Sequence, residues 1–401
     1  MTHRTSSPHQ QYMQRALDLA RRAQGFTSPN PMVGAVIVKS GRVIAEGYHR
    51  RAGLPHAEVD ALRRAGARAR GATLYVTLEP CNHTGRTPPC CDAILAAGIR
   101  HVVVAMKDPN PITNGRGLAR LRRAGVRVTI GVHEAQARAL NAAFCKAMTT
   151  GLPFVTVKVG QSLDGKIATR TGESRWITSA ASRRISHQLR SRHDAILVGI
   201  NTVLRDDPLL TVRGMPHRAD RPVKVIVDSR LRLPSDAACV SRQSPAPTLI
   251  ATTAQTSEKA DTLARRGAEV LAFPARRSRV PLRPLFQALV RRGIHSVLIE
   301  GGGEVIASAF EERLVDRVAC FVAPLLIGGR LAPSAFGGKG IRRLADAIRL
   351  DEVVTCRSGP DLCVEARVVY PKGARGKRQG ARKNRFSHAP RPTPHAPQVV
   401  F

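Results

Sequence analysis

A chain of 401 residues is longer than one ordinary core, so two domains are expected, and 43% apolar with 23% charged residues excludes a disordered chain. The formal charge of +35 is spread along the chain, not gathered in one basic stripe, which favours anionic small ligands over nucleic acid as the main partner. Eight cysteines without dense regular spacing exclude a secreted disulfide scaffold, and the absence of an apolar leader or of an apolar run of about 18 residues makes a cytoplasmic protein the expectation.

Met13, Leu17 and Ala20 recur at helical spacing and predict a first helix over residues 10–24. Residues 33–48 read as a hairpin turning at Lys39-Ser40-Gly41, and 56–64 as a helix stopped by Gly66. A strand at 73–78, a Pro- and Gly-rich loop, a helix from about 90 to 97, and strands near 101–106 and 126–131 follow. This alternation makes the first half α/β with a layered sheet. A helix containing Asn141 leads into a boundary near residue 148, so the first domain is set at 8–148. Short Val/Ile runs at 154–160, 195–199, 223–229, 248–253, 269–273 and 296–303 then predict a second α/β domain over 152–371. Residues 372–401 carry eight Lys or Arg and no acid, with few large apolar groups, and are expected to be a disordered basic tail.

The sharpest chemical signal is His56-Ala-Glu58, followed by Pro80-Cys81 and Cys90. A catalytic zinc takes three protein ligands from His and Cys thiolate and leaves the fourth position to water, which makes His56, Cys81 and Cys90 the candidate metal ligands. Glu58 is the candidate catalytic proton shuttle, a role that a purely structural zinc site does not need. The pattern matches the H-x-E…P-C-x-x-C signature of zinc nucleobase deaminases except in its last spacing, where eight residues separate the cysteines. His83 inside that loop is read as a substrate contact and Cys91 as a core residue. Two other readings stay open on these residues alone: deamination of an RNA base, with the charge as its electrostatic footprint, and a zinc-structured RNA-associated protein without catalysis. In the second half, Glu300-Gly-Gly-Gly303 between a strand and a helix suits a phosphate at a helix N-terminus, although it is not the spaced fingerprint of a doubly wound dinucleotide fold.

Ser28-Pro-Asn-Pro-Met-Val-Gly34, the His56 and Cys81–Cys90 motifs and Asp108-Pro-Asn-Pro111 together resemble the bifunctional riboflavin-biosynthesis deaminase–reductase family. The resemblance continues through Gly160-Gln-Ser-Leu-Asp-Gly165, Gly172-Glu-Ser-Arg-Trp-Ile-Thr178, Asp206-Asp-Pro-Leu-Leu-Thr-Val-Arg213 and Glu300-Gly-Gly-Gly303, and covers about residues 10–370. It implies a cytidine-deaminase-like three-layer domain followed by a dihydrofolate-reductase-like α/β domain. The implied chemistry is zinc-dependent hydrolytic deamination of 2,5-diamino-6-ribosylaminopyrimidinone 5′-phosphate, then NADPH-dependent reduction of the ribosyl group to ribityl. By the same resemblance Gly160, Trp176, Thr202, Asp206, Ser229, Gly302, Gly303, Glu304, Val305, Ile306, Ala307 and Ser308 fall at NADPH positions. Ser174, Arg190, Leu210, Arg213 and Glu300 fall at substrate positions, where guanidinium groups grip a ribose phosphate bidentately. A homo-oligomer is implied too. For the proton donor in the reduction, Lys158 and Asp164 are candidates.

Overall fold

The computed structural model describes residues 7–84, 88–218, 220–240, 246–254, 258–276 and 278–371. The tail expected at 372–401 and residues 85–87 of the cysteine loop lie outside them.

The first helix, α1 (Pro8–Arg21), starts two residues before the expected residue 10 and ends at Arg21, short of the expected 24. Ser7 and Gln10 form a reciprocal capping box and Pro8 occupies the first turn, where its missing N–H costs nothing. β1 (Gly34–Lys39) and β2 (Arg42–Tyr48) pair antiparallel across a two-residue turn in which Ser40 and Gly41 both have positive φ, the geometry that matches strand twist. α2 (Ala57–Ala65), β3 (Thr73–Leu78), α3 (Cys90–Ala96) and β4 (His101–Met106) fall where the sequence pattern puts them. α4 (Arg116–Arg123), β5 (Arg127–Ile130), α5 (Glu134–Leu140) and α6 (Ala142–Thr150) complete this part.

The five strands run in the order β2-β1-β3-β4-β5, with β3, β4 and β5 parallel. Helices cover both faces, and glycine lets them approach. A Cβ on Gly34 would stand 1.9 Å from the Ala16 carbonyl oxygen of α1, and one on Gly47, on the opposite face, 2.5 Å from the Ala61 nitrogen of α2. β4 is buried at all six positions, as a strand covered on both faces must be.

The second sheet is built from β6 (Phe154–Ser162), β7 (Ala195–Gly199), β8 (Val223–Val227), β9 (Thr248–Thr252), β10 (Ala268–Ala272), β11 (Ser296–Ile299), β12 (Arg317–Ala323), β13 (Arg349–Ser358) and β14 (Asp361–Val369). Their order is β10-β9-β8-β7-β11-β6-β12-β14-β13, parallel as far as β12 and antiparallel over the last two. α7 (Ala180–Arg192), α8 (Ile200–Asp206), α9 (Glu258–Arg265), α10 (Leu282–Arg291) and α11 (Gly303–Glu311) connect the parallel strands. The apolar cores stay separate: one cluster runs from Met13 to Ala137, and three others lie between Leu152 and Ala366.

Candidate active sites

His56 occupies the N-cap position of α2 yet makes no capping hydrogen bond, because its ring turns toward two thiols. Its Nδ1 lies 3.2 Å from Cys90 Sγ and 3.7 Å from Cys81 Sγ. Cys81 follows β3, Cys90 opens α3, and the Cys90 backbone N–H donates to Cys81 Sγ at 3.3 Å. The three donor atoms converge within 4.8 Å of one another. One nitrogen and two sulfurs at this spacing are a donor set that fits zinc with a position to spare. The Cys90 side chain, against the opposing effect of burial and with help from His56, draws the Cys81 thiol down to about 4. Cys90 is pushed up by the same contact and by burial, so Cys81 holds the thiolate.

Glu58, on the first turn of α2, is 3% exposed. Burial pushes its carboxyl up to about 7, with the His56 charge opposing. A carboxyl balanced near neutral pH can both take and give a proton. His56, Glu58 and Cys81 line a cavity of about 360 Å³, while Cys90 is fully buried. His83, read as a substrate contact, lies on its wall, and Cys91 is buried with its thiol toward the Pro80 and Gly117 carbonyls.

The wall also holds Asn30, His49, Asp108 and Asn110, to which the sequence reading gave no role. The signal was the repeated Pro-Asn-Pro: both copies, at 29–31 and 109–111, turn an asparagine to this cavity. Asn30 Nδ2 donates to His49 Nε2 at 3.0 Å, and His49 Nδ1 donates to the Pro55 carbonyl at 3.1 Å, which fixes a neutral tautomer. Burial lowers the His49 pKa, consistent with that state. Buried Glu79 accepts from the backbone N–H groups of Asp108, Gly115, Gly117 and Leu118 and so pins the loop that carries Asn110.

In the second part, a cleft of about 600 Å³ opens beyond the C-terminal ends of β7, β8 and β11, where α/β sheets bind nucleotides. Of the residues expected at the cofactor, Thr202, Asp206, Ser229, Gly302, Gly303, Glu304, Val305 and Ser308 line it, together with Ser174. Ile306 and Ala307 are buried, Ile306 within the core, so the helix backbone is what they can offer a ligand. Trp176 is 67% exposed and carries the Arg183 guanidinium 4.4 Å from its ring centroid. Gly160 stands on β6, where a Cβ would meet Thr178 at 3.1 Å.

Arg190 is engaged within the protein. Its fork faces Glu300, with Nε to Oε1 at 2.7 Å and Nη2 to Oε2 at 2.8 Å, while Nη1 donates to the Thr211 carbonyl. The bidentate grip expected on a phosphate is therefore made on a carboxylate. Arg213 is the member of that pair with no side-chain ion pair among the described residues. Leu210 is buried in the core with a positive φ of 51°. Burial pushes the Glu300 carboxyl up, but Arg190, Lys158 and His187 overcome this and hold it at about 2. Burial lowers the Lys158 ammonium, with Glu300 opposing. Asp164 is unsuited to donate a proton. Ser162 and the Ile327 and Gly328 N–H groups hydrogen-bond its carboxylate and hold it at about 2.

A donor set that fits a hydrolytic zinc in one α/β unit and a cleft at the C-terminal edge of the sheet in a second fit the class of two-domain deaminase–reductases. Residues 6–106 match the cytidine and deoxycytidylate deaminase zinc-binding region, and 153–364 match the RibD C-terminal domain. The riboflavin biosynthesis protein RibD of Aquifex aeolicus is 44% identical over 88% of this chain and 96% of its own. That of Escherichia coli K12 is 43% identical over 88% and 97%. Among solved structures, RibD of Acinetobacter baumannii (form 2) is 38% identical with a TM-score of 0.82, covering 90% of this chain and 99% of its own. A Thermotoga maritima diaminohydroxyphosphoribosylaminopyrimidine deaminase/5-amino-6-(5-phosphoribosylamino)uracil reductase is 35% identical with a TM-score of 0.80 over the same shares. The chain belongs to the RibD family of riboflavin biosynthesis proteins. It is a bifunctional enzyme with a zinc-dependent, cytidine-deaminase-like part and an NADPH-dependent, dihydrofolate-reductase-like part, and it acts on a small phosphorylated pyrimidine. Among the described residues, no helix is long and apolar enough to cross a membrane.

Proposed function

We propose that residues 8–148 deaminate 2,5-diamino-6-ribosylaminopyrimidinone 5′-phosphate and residues 152–371 reduce its ribosyl group, giving 5-amino-6-ribitylaminouracil 5′-phosphate. The observation that carries this reading is the convergence of His56, Cys81 and Cys90 within 4.8 Å of one another, with His56, Cys81 and buried Glu58 on one cavity wall. His56, Cys81 and Cys90 hold zinc, which when bound supplies the Lewis acidity that ionises water near neutral pH. Glu58 takes a proton from the attacking water on its carboxylate and passes it to the ring nitrogen, then takes the second proton, from the newly added hydroxyl, and passes it to the amino group that leaves as ammonia, a relay supported by its balance near pH 7. Asn30, His83 and Asn110 orient the pyrimidine in the cavity.

In the reductase part, NADPH when bound supplies the hydride. Thr202, Asp206, Ser229, Ser308 and residues 302–305 hold it in the cleft, Ile306 and Ala307 contribute backbone, and Gly160 and Trp176 are the further cofactor contacts that the resemblance implies. Ser174, Leu210, Arg213 and Glu300 hold the substrate, with Arg190 orienting Glu300 and Arg213 facing the phosphate. Of the two candidate proton donors, Lys158 is favoured by its place beside Glu300 and its lowered pKa. Free thiols at all eight cysteines support a reducing cytoplasm, and an exposed apolar surface supports a homo-oligomer.

The test is an assay of the full chain on the diamino substrate with and without NADPH, products identified by mass, beside Glu58→Gln. The variant is expected to keep its zinc and its NADPH oxidation on the deaminated substrate while ammonia release falls at least about a hundredfold. Loss of both activities together would refute two separate sites.

A further inference from the structure

The loop that forms one wall of the deaminase cavity is held from outside its own domain. Ser28 Oγ donates to Asp194 Oδ2 at 2.8 Å, across 166 residues of sequence. Asp194 stands immediately before β7 of the second sheet and is 6% exposed. The same oxygen accepts from the His295 and Ser296 N–H groups and from Ser296 Oγ, so its position is fixed by the second domain's core strands. On the other side of Ser28, Arg218 Nη1 donates to its carbonyl at 2.5 Å, while the Arg218 fork is itself held by Asp220. The next residue, Pro29, packs on Gly293, where an added Cβ would lie 3.4 Å from the proline ring. Phe144, another wall residue, meets the His295 ring at a centroid distance of 6.5 Å.

Pro29, Asn30 and Pro31 follow in chain and line the cavity, and Asn30 holds the neutral His49 that stands edge-on to His56. From the first domain's side, Asn141 brackets the end of this loop by bonding both the N–H and the carbonyl of Met32. One end of the wall is thus anchored by its own domain and the other by the reductase domain.

We infer that the reductase domain completes the deaminase substrate cavity, with the Ser28–Asp194 hydrogen bond as the latch and Ser28 as a positioning residue for deamination. Ser28 acts through Pro29 and Asn30 on the pose of the ring and touches neither the zinc ligands nor Glu58. An interdomain contact that served cohesion alone would affect both reactions alike when loosened. A latch on the cavity wall affects substrate capture in one of them.

The inference rests on the cavity being the deaminase site. The experiment uses full-length, zinc-loaded Ser28→Ala and Arg218→Ala with Glu58→Gln alongside, reading KM and kcat for each reaction, zinc content and melting temperature. Ser28→Ala and Arg218→Ala are each expected to raise the deaminase KM about fivefold or more, with kcat within about twofold, as for loss of one or two positioning hydrogen bonds. Reductase KM, kcat and zinc content stay at the parent values. A deaminase KM within twofold of the parent in both variants overturns the latch, and so does an equal loss in both reactions. If Glu58→Gln still releases ammonia at the parent rate, the site reading itself fails, and the latch with it.

Discussion

Arg190 and Glu300 are 110 positions apart in sequence, and their side chains are only 16% and 5% exposed. Once two charges are desolvated, removing one leaves the other stranded, which costs far more than the pair contributes. Arg190→Leu should therefore destabilise the reductase domain by about 3–5 kcal/mol, and urea unfolding followed by circular dichroism would read it. A loss under about 1 kcal/mol would mean that Glu300 is not held by this pair. The pH dependence has a defined sign. Because the folded Glu300 carboxyl sits at about 2, below its ordinary 4.5, the stabilisation is complete above about pH 4.5 and is lost as pH falls toward 2. This pairing was not legible in the sequence, since one arginine among many carries no mark of its partner. The zinc site was legible because His, Glu and two Cys are uncommon residue types whose roles follow from ligand chemistry, and because each stands at the start of a helix or the end of a strand.

At the scale of elements, the turn from β11 into α11 lines the cleft proposed to take the cofactor. Gly302 caps α11 with φ 82° and ψ 92°, and an added Cβ would lie 3.4 Å from Gly199 of β7. An alanine there faces both a backbone conformation disfavoured for L residues by about 1–2 kcal/mol and a crowded neighbour, at the turn whose backbone N–H groups are proposed to meet the cofactor phosphate. Gly302→Ala should raise the NADPH Kd about tenfold while leaving deamination untouched. Quenching of Trp176, the single tryptophan, gives the readout, and an unchanged Kd would show that this turn does not hold the cofactor. The short Val/Ile runs before β12 were readable because parallel strands covered on both faces are apolar throughout: β7 and β9 are buried at every position. β13 was not, because most of its residues are solvent-facing and it shows no inward alternation. α4 was hidden differently. Five of its eight residues are not buried and four are arginines, so its small inner stripe of Gly117, Leu118 and Leu121 reads as part of a charged loop.

At the scale of the whole molecule, the distribution of apolar surface and the distribution of charge make opposed demands. Leu326, Leu331 and Leu344 are 74%, 76% and 89% exposed, and Leu350 and Val353 on β13 add to the apolar surface of the same C-terminal stretch. β13 is also an edge strand, paired with β14 alone, and an edge left bare invites pairing with another chain. Exposed apolar side chains in this number call for cover, and a second copy is the occupant that a homo-oligomer would supply. Each copy nevertheless carries a formal charge of +35, so two copies repel at long range. Salt screens that repulsion over about 10 Å at 0.1 M and leaves apolar burial intact, so association should tighten as salt is raised. An assembly held by ion pairs would loosen instead. Sedimentation velocity across a salt series is expected to give a dimer or larger species that persists to lower protein concentration at 0.5 M than at 0.05 M salt. Leu331→Glu combined with Leu344→Glu should shift it to monomer with deamination retained. A parent chain that is monomeric at every salt concentration would remove the apolar face as an interface.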